Sequence, residues 1–310
     1  MTARSVTTTP APSVAASAAA EALDAGPRAL LRAAWGSSEG ELGRSRQQEG
    51  NAEGPMSLAL AGRELVVVDQ VNGRVVRYGE DGRTRSTTSI AATVQDVAVA
   101  KDGRMLLLDR LGERAITLVD RSGRPSGRLS LEAAGIAEPG MVTGMFVDGS
   151  NVYVEKEHGA LVRVGTTEGE PAEPGESALA GRPSKDGSML VTATIASKAA
   201  GRVAVNAVDR KTSALRFARQ LTFPRPLDTL ALLDTDDRNV VYVGAVAGGP
   251  GRVTIACLDP SDGHALGFVT VPHSTTPDES FRDFAVGGDG TIVYALRTES
   301  GVEYLVARCP

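Results

Sequence analysis

The chain has 310 residues, of which 42% are hydrophobic and 4% aromatic, so we expect a large core filled by Val, Leu, Ile and Ala. All-β repeat folds of this length commonly form one domain. The net charge is −5 and the basic residues are scattered singly, which argues against a nucleic-acid-binding surface. No apolar run approaches the roughly 20 residues that span a bilayer, so no transmembrane segment is expected.

The first 27 residues are rich in Ala, Thr, Pro and Ser, and burial of such small side chains cannot offset their ordering entropy. We expect a disordered tail over residues 1–27 and a single domain over residues 28–310. The tail lacks the basic start and continuous apolar run of a secretory signal, so the protein either stays inside the cell or is a mature form. The compartment is open at this point, with the periplasm or the exterior slightly favoured because such tails often tether envelope domains.

Residues 55–83 contain three short β-rich runs, at 58–61, 65–69 and 74–78, which Gly, Asn and Asp separate. Short strands alternating with turn residues are typical of an up-and-down antiparallel sheet, and a fourth run follows near residues 83–90. The segment 96–131 repeats the same order of runs and turns. The sequence therefore predicts a repeated four-stranded unit.

Four further units follow the first two. In the third unit, the Glu, Pro and Gly content of residues 166–176 argues against a regular fourth strand. In the fourth unit, the first strand is expected within residues 178–183. The fifth and sixth units begin near Thr229 and Phe284, and the chain ends before the sixth unit has a fourth strand.

The segment 28–35 precedes the first unit and occupies the place of that missing strand. If it pairs with residues 302–308, the first and last units interlock and leave no open sheet edge between them. The chain is then an all-β ring of six units with four antiparallel strands each. An open solenoid is the alternative, but it requires polar capping repeats that the sequence does not contain.

The phrase Gly-Pro-Met-Ser-Leu-Ala-Leu at 54–60, then Leu-Val-Val-Val-Asp at 65–69 and Asn-Gly-Arg-Val-Val-Arg-Tyr at 72–78, resembles an NHL repeat. The resemblance is specific over about the first 90 residues after the tail, and later units are similar to the looser pattern of lactonase-like propellers. It implies a six-bladed β-propeller, usually a protein-binding platform and sometimes a lactonase or lyase scaffold.

Aligning the first strands of the units places Ser57, Asp96, Gly144, Asp228 and Asp283 at one repeat position. In a propeller this strand is innermost and begins at the mouth of the central channel, so Asp96, Asp228 and Asp283 are expected to face one another there. Converging carboxylates are the oxygen-rich setting that Ca²⁺ or Mg²⁺ prefers, which predicts a metal site. The alternative is that each Asp caps its own loop by accepting backbone N–H bonds.

Other polar positions have structural interpretations. Asp69, Asp109 and Glu155 recur at the ends of second strands, ahead of turns, and indicate carboxylate–guanidinium or turn contacts. Cys257 and Cys309 are too few for a disulfide framework and fall on neighbouring units. They either pair or pack as small buried side chains.

The extended connections at residues 36–54, 166–176 and 272–281 are polar or mixed in charge, and loops on a rigid scaffold usually carry binding function. No catalytic cluster or cofactor motif accompanies them, and the three histidines lack zinc-site spacing. We therefore expect a non-enzymatic scaffold that binds a protein or glycan partner through a loop face, in an envelope or secreted assembly. The alternative is a metal-dependent lactonase- or lyase-like enzyme with its site at the channel mouth.

Overall fold

The computed structural model describes residues 13–14, 28–46, 51–174, 179–247, 251–274 and 276–310. Across these ranges the regular structure is β-strand, apart from single 3₁₀ turns at Gln70–Asn72 and Pro139–Met141. No helix within them has the length and apolar character needed to cross a membrane. The predicted all-β class is confirmed. The predicted tail lies outside the described residues except for Ser13–Val14, a two-residue strand.

The strands form six sheets, the blades of a propeller. Within a blade the strands follow chain order from an inner strand A to an outer strand D, except that the outer strand of blade six comes from the start of the described domain and that blade three has three strands in the described chain. The strands of blades one to three are Ser57–Ala61, Glu64–Asp69, Arg74–Tyr78 and Thr84–Ser89; Asp96–Val99, Met105–Asp109, Ala115–Val119 and Pro125–Ser130; and Val142–Asp148, Asn151–Lys156 and Ala160–Thr166. Those of blades four to six are Arg182–Pro183, Met189–Ser197, Arg202–Asp209 and Leu215–Thr222; Leu227–Thr235, Val241–Ala247, Arg252–Leu258 and Ala265–Pro272; and Phe284–Val286, Ile292–Thr298, Gly301–Ala307 and Arg28–Ala34.

Two blades depart from the four-strand pattern. In blade three, the described chain after strand C returns to that strand only through isolated bridges of Gly165 with Pro171 and of Leu161 with Leu179. The expectation that this Glu-, Pro- and Gly-rich segment forms no regular strand holds for its described part. In blade four, the sheet gains a fifth strand, because Ser13–Val14 pairs in parallel with the outer strand.

The ring closes where the sequence predicted. Strand Arg28–Ala34 pairs antiparallel with Gly301–Ala307 and completes blade six. Leu31 of this strand is 9% exposed and packs in the core between blades six and one. The indole Nε1 of Trp35 donates a hydrogen bond to the Thr298 carbonyl at 2.9 Å. Blade six therefore combines strands from both ends of the described domain, and no edge is left open between the first and last blades.

Apolar side chains fill the space between neighbouring blades. Separate clusters lie between blades one and two, two and three, four and five, five and six, and six and one. Between blades three and four, two ion pairs contribute to the contact: Arg182 with Glu155 and Arg210 with Asp148, each with a nitrogen–oxygen distance of 2.6 Å. Burial of a large aliphatic side chain contributes about 1.5–3 kcal/mol, so these clusters stabilise the contacts between neighbouring blades.

The two cysteines pair. Cys257 on strand C of blade five is bonded to Cys309, which follows the last strand, with 6.4 Å between their Cα atoms. The bond holds the end of the chain against blade five, where Pro310 covers Gly267 of strand D. Of the two interpretations of these residues, pairing is the one observed.

Removing this disulfide is expected to lower the free energy of unfolding by about 2–4 kcal/mol, because the bond limits the unfolded chain by joining residues 52 positions apart. The measurement is urea denaturation of Cys257→Ser/Cys309→Ser beside the unmodified protein. A reductant should lower the midpoint of the unmodified protein and leave the double variant unchanged. An unmodified protein whose midpoint ignores the reductant would contradict this prediction.

Candidate functional site

The two ends of the central channel are surrounded by different connections and turns. Every inner strand begins at one end, which also carries the D-to-A connections and the B-to-C turns; we call it the loop face. Every inner strand finishes at the other end, beside the A-to-B and C-to-D turns; we call it the turn face.

The chain that enters blade six closes the channel at the loop face. The backbone N–H of Phe281 donates to the Met56 carbonyl of blade one at 2.7 Å, and Arg282 forms a β-bridge with Ser57. The Phe281 ring packs against the cores on both sides of blade two and faces the Arg110 guanidinium at 5.1 Å. Phe281 and Arg282 therefore reach from blade six across the channel mouth, and we call this pair the plug.

Asp96 is fully buried and holds the side chain of Arg282. Its Oδ2 lies 2.6 Å from Arg282 Nη2, which also donates to the Met145 carbonyl of blade three. The backbone N–H groups of Val97 and Met145 donate to the carboxylate oxygens at 2.9 and 3.1 Å. Burial raises the pKa of the Asp96 carboxyl, against the opposing effect of Arg282. Through one arginine, Asp96 links blades two, three and six.

The other two predicted metal ligands have different surroundings. Asp283 Oδ1 lies 2.7 Å from Nη1 of the buried Arg297, and its Oδ2 accepts a hydrogen bond from Ser280 at 2.9 Å. Asp228 is exposed at a bulge of strand A in blade five. The three predicted ligands do not bring their carboxylate oxygens within 4.8 Å of one another. Among the described residues, the group that meets this spacing is on an exposed turn: Asp259, Asp262 and His264.

The carboxylates at the ends of strands B make structural contacts. Asp69 lies 2.7 Å from Arg74 and accepts a hydrogen bond from the N–H of Gly43 at 2.8 Å. It therefore ties the first part of residues 36–54, which we call the crossover loop, to blade one. Asp109 accepts a backbone N–H within its own turn at 2.7 Å. Both contacts are of the kind that the sequence indicated.

At the turn face, residues from all six blades line a chamber of about 690 Å³. The charged side chains of its wall include Lys101, Arg182, Lys185, Asp234 and Arg282. Lys185 Nζ donates to a backbone carbonyl of blade six, and the Arg182 guanidinium lies over the ring of Phe146 at 5.6 Å. The volume is within the range of small-molecule pockets, and the mixed charge suits a small polar molecule.

Two large apolar side chains are exposed on neighbouring segments of the loop face. Leu111, in the B-to-C turn of blade two, is 56% exposed, and Met141, ahead of strand A of blade three, is 37% exposed. Leu111 Cδ2 lies 3.8 Å from the point that a Cβ on Gly140 would occupy. Arg110 Nη1 joins the two segments by donating to the carbonyls of Gly140 and Val142 at 2.8 and 2.7 Å. We call this surface the Leu111/Met141 patch.

Exposed acidic residues border the patch. Glu138 accepts the N–H of Met141 at its carbonyl, and Glu157 donates its own N–H to the Met141 carbonyl, both at 3.0 Å. Glu279 lies near Arg110, whose pKa burial lowers while Glu279 acts to raise it. The other large hydrophobic side chains exposed in the described part of the chain lie near the starts of outer strands, at the turn face: Leu215 and Leu266.

Sequence reasoning singled out neither the plug nor this patch. The available signal for the plug was the pair Phe281-Arg282 directly before Asp283, where unit two has Val94-Gln95 before Asp96. A large aromatic residue and an arginine at the start of an inner strand are unusual for a solvated connection. Only the fold shows that they cross the channel.

Comparison with known proteins supports the architecture. No protein-family model and no curated protein matches the chain, so the NHL-repeat resemblance is not confirmed. Among solved structures, hydrazine synthase from Kuenenia stuttgartiensis is 13% identical with a TM-score of 0.51, over 82% of this chain and 78% of that chain. A luciferin-regenerating enzyme is 17% identical with a TM-score of 0.47, over 82% and 91%. BamB from Moraxella catarrhalis is 12% identical with a TM-score of 0.46, over 89% and 95%. At these identities the likeness to hydrazine synthase is one of fold alone.

Proposed function

We propose that this protein is a non-enzymatic binding module that recognises a protein partner through its loop face, with the Leu111/Met141 patch at the centre of the contact. The observation that carries the proposal is the adjacency of two large exposed apolar side chains on a face whose channel mouth is closed. Single exposed hydrophobic residues are normal on protein surfaces, but adjacent ones rimmed by polar residues mark interaction sites.

Hydrogen bonds already order the backbone around the Leu111/Met141 patch. Arg110 fixes the Gly140 and Val142 backbone, and Met141 is hydrogen-bonded on both its N–H and its carbonyl. A partner that covers Leu111 and Met141 therefore gains their burial with little cost in ordering the loops. Aliphatic side chains of this kind favour a protein partner over a glycan.

The enzyme alternative has less support at the loop face. Two of the three predicted metal ligands, Asp96 and Asp283, already have guanidinium partners at 2.6 and 2.7 Å. A cation there would have to displace Arg282 and Arg297. The aspartate metal site therefore stays a prediction, which a rise in melting temperature on adding Ca²⁺ or Mg²⁺ would support.

The disulfide supports a location outside the cytosol. Structural disulfides persist in oxidising compartments and are rare where thiols are kept reduced. The bond between Cys257 and Cys309 therefore favours a periplasmic or secreted protein, in agreement with the expectation from the tail.

Replacing the patch with Leu111→Asp/Met141→Asp is expected to reduce capture of the partner at least tenfold, because two carboxylates then meet the apolar surface that binds them. The measurement is quantitative mass spectrometry of proteins retained from an envelope extract, with a glycan array as a second arm. The matched control is Leu215→Asp/Leu266→Asp, which changes equally exposed residues on the opposite face. Identical protein sets for the two variants, or glycan binding that the patch variant loses, would overturn the proposal.

A further inference from the structure

A group of buried charged side chains lies beneath the crossover loop, beside blade six. Arg297 is 2% exposed, Asp278 is 0% exposed and Arg44 is 8% exposed at the side chain. Arg297 Nε and Asp278 Oδ2 are both buried, and neither has a hydrogen-bond partner among the residues that the structure describes. Leaving a buried charged donor or acceptor without a partner costs about 1–3 kcal/mol or more, so native proteins seldom leave such atoms unpaired.

Arg44 Nε and Asp283 Oδ1 in this cluster also have no hydrogen-bond partner in the described part of the chain, but the other terminal atoms of Arg297 and Asp278 hold those two side chains in place. Arg297 Nη2 donates to the Pro55 carbonyl at 2.7 Å, and Nη1 lies 2.7 Å from Asp283 Oδ1. Asp278 Oδ1 accepts from Arg44 Nη2 at 2.7 Å. Arg297 and Asp278 therefore cannot turn to satisfy the two unpaired atoms without losing these contacts.

Both unpaired atoms lie near the same point beside Gly54. A Cβ built on Gly54 would lie 3.6 Å from Arg297 Nε, 3.7 Å from Asp278 Oδ2 and 3.6 Å from Trp35 Cη2, with no closer neighbour beyond the adjacent residues. A hydrogen-bond donor and an acceptor thus lie beside one small space that no atom of the described residues fills. Gly54 itself is buried, so bulk solvent does not supply the partner.

The charges around this space select its occupant. Two largely buried guanidinium groups, of Arg44 and Arg297, balance the two largely buried carboxylates of Asp278 and Asp283. Glu299, which also pairs with Arg44, is largely exposed to solvent. A cation would be repelled by the arginines, and an anion by the aspartates. A neutral molecule that accepts from an N–H and donates to a carboxylate satisfies both unpaired atoms, and water is the molecule of that size.

We propose that the space beside Gly54 is a binding site for one ordered water molecule, which accepts a hydrogen bond from Arg297 Nε and donates one to Asp278 Oδ2. The water joins the end of the crossover loop to the buried ion pairs of blade six. It also explains the residue at position 54, because a side chain there would occupy the space.

Two substitutions at position 54 test this site, because the first should lower the melting temperature and the second should recover much of that loss. Gly54 has no left-handed backbone conformation, and a Cβ would be in ordinary van der Waals contact, so alanine meets no steric obstacle. If the water is present, Gly54→Ala displaces it and leaves both polar atoms without a hydrogen-bond partner. The melting temperature should then fall by about 2–6 °C. Gly54→Ser offers a hydroxyl that accepts and donates in its place, and should recover at least half of that loss.

The control is Gly127→Ala on strand D of blade two, where the three atoms nearest to a built Cβ are at a similar distance, 3.8 Å, but are all carbons. It should leave the melting temperature unchanged or slightly raised. A Gly54→Ala protein that melts at or above the unmodified one indicates a dry gap and overturns the proposal, as does a serine variant no better than alanine. A crystal structure at high resolution with no water peak within hydrogen-bond distance of Arg297 Nε and Asp278 Oδ2 also overturns it.

Discussion

Replacing Arg282 with methionine is expected to lower the free energy of unfolding by about 3–5 kcal/mol, because the fully buried carboxylate of Asp96 then loses its cationic partner. The Met145 carbonyl loses a donor in the same change. The measurement is equilibrium urea denaturation near neutral pH. Because the Arg282 side chain contacts blades two and three from blade six, its loss weakens the attachment among three blades at once.

Two further variants distinguish the effect of leaving a buried carboxylate unpaired from the effect of removing an arginine. Arg63→Met is the matched control, since Arg63 is 79% exposed and its pair with Glu80 at 3.2 Å is expected to contribute about 0–1 kcal/mol. Asp96→Leu/Arg282→Met leaves no unpaired charge and should lose less stability than Arg282→Met alone. A double variant as unstable as the single one would show that the buried charge is not the cause.

The loss in Arg282→Met has a defined dependence on pH. Burial already raises the pKa of Asp96 above its ordinary value of 3.8, and removing the guanidinium raises it further. A carboxyl group whose pKa is higher in the folded than in the unfolded state contributes stability at pH values below the unfolded-state pKa. That contribution is lost as the pH rises through the folded-state pKa. The variant should therefore approach the unmodified protein near about pH 4 and fall furthest below it at neutral pH. A gap that does not change with pH would contradict this reasoning.

Deleting residues 1–34 is expected to prevent a stable monomer from forming. Blade six then loses its outer strand, Gly301–Ala307 becomes an open edge, and the core between blades six and one loses Leu31. Domains are stable by about 5–15 kcal/mol in total, and the loss of a strand and part of a core is of that order. The measurement is light scattering after size-exclusion chromatography, together with thermal melting by circular dichroism.

The matched control is deletion of residues 1–27, which keeps strand Arg28–Ala34 in place. This shorter deletion should yield a monomer whose melting temperature stays within about 2 °C of the full chain, since a two-residue parallel pairing contributes little. Two deletions with the same melting temperature would mean that the closing strand is not what seals the ring.

Much of this fold was predictable because its units repeat. Glycine turns such as that at Gly82, whose φ of +70° suits a residue without a Cβ, recur at matching places and set the strand boundaries. The sixth unit lacked a fourth strand of its own, which predicted that the segment 28–35 would supply it. The lack of a regular outer strand in the described part of blade three was also predictable, because Pro, Glu and Gly are disfavoured in strands.

The site was less predictable, because equivalent positions in a repeat do not have equivalent surroundings. Asp96 is buried against an arginine that lies 186 positions away in the chain. Asp228 falls at a bulge, which displaces it from the common register, and Asp283 pairs with Arg297 of the next strand. The exposed pair of Leu111 and Met141 depends on two loops meeting, and no local pattern encodes that meeting.

The junction of blades three and four has a consequence for how the ring opens. Its described contacts include the ion pairs of Arg182 with Glu155 and of Arg210 with Asp148, which lie partly in solvent, and blade three there has no outer strand in the described chain. Dissolved ions screen partly solvated charges but scarcely affect apolar packing. Raising the ionic strength should therefore weaken the junction of blades three and four selectively. Amide protons near this junction should exchange with deuterium before those at the other five junctions between blades.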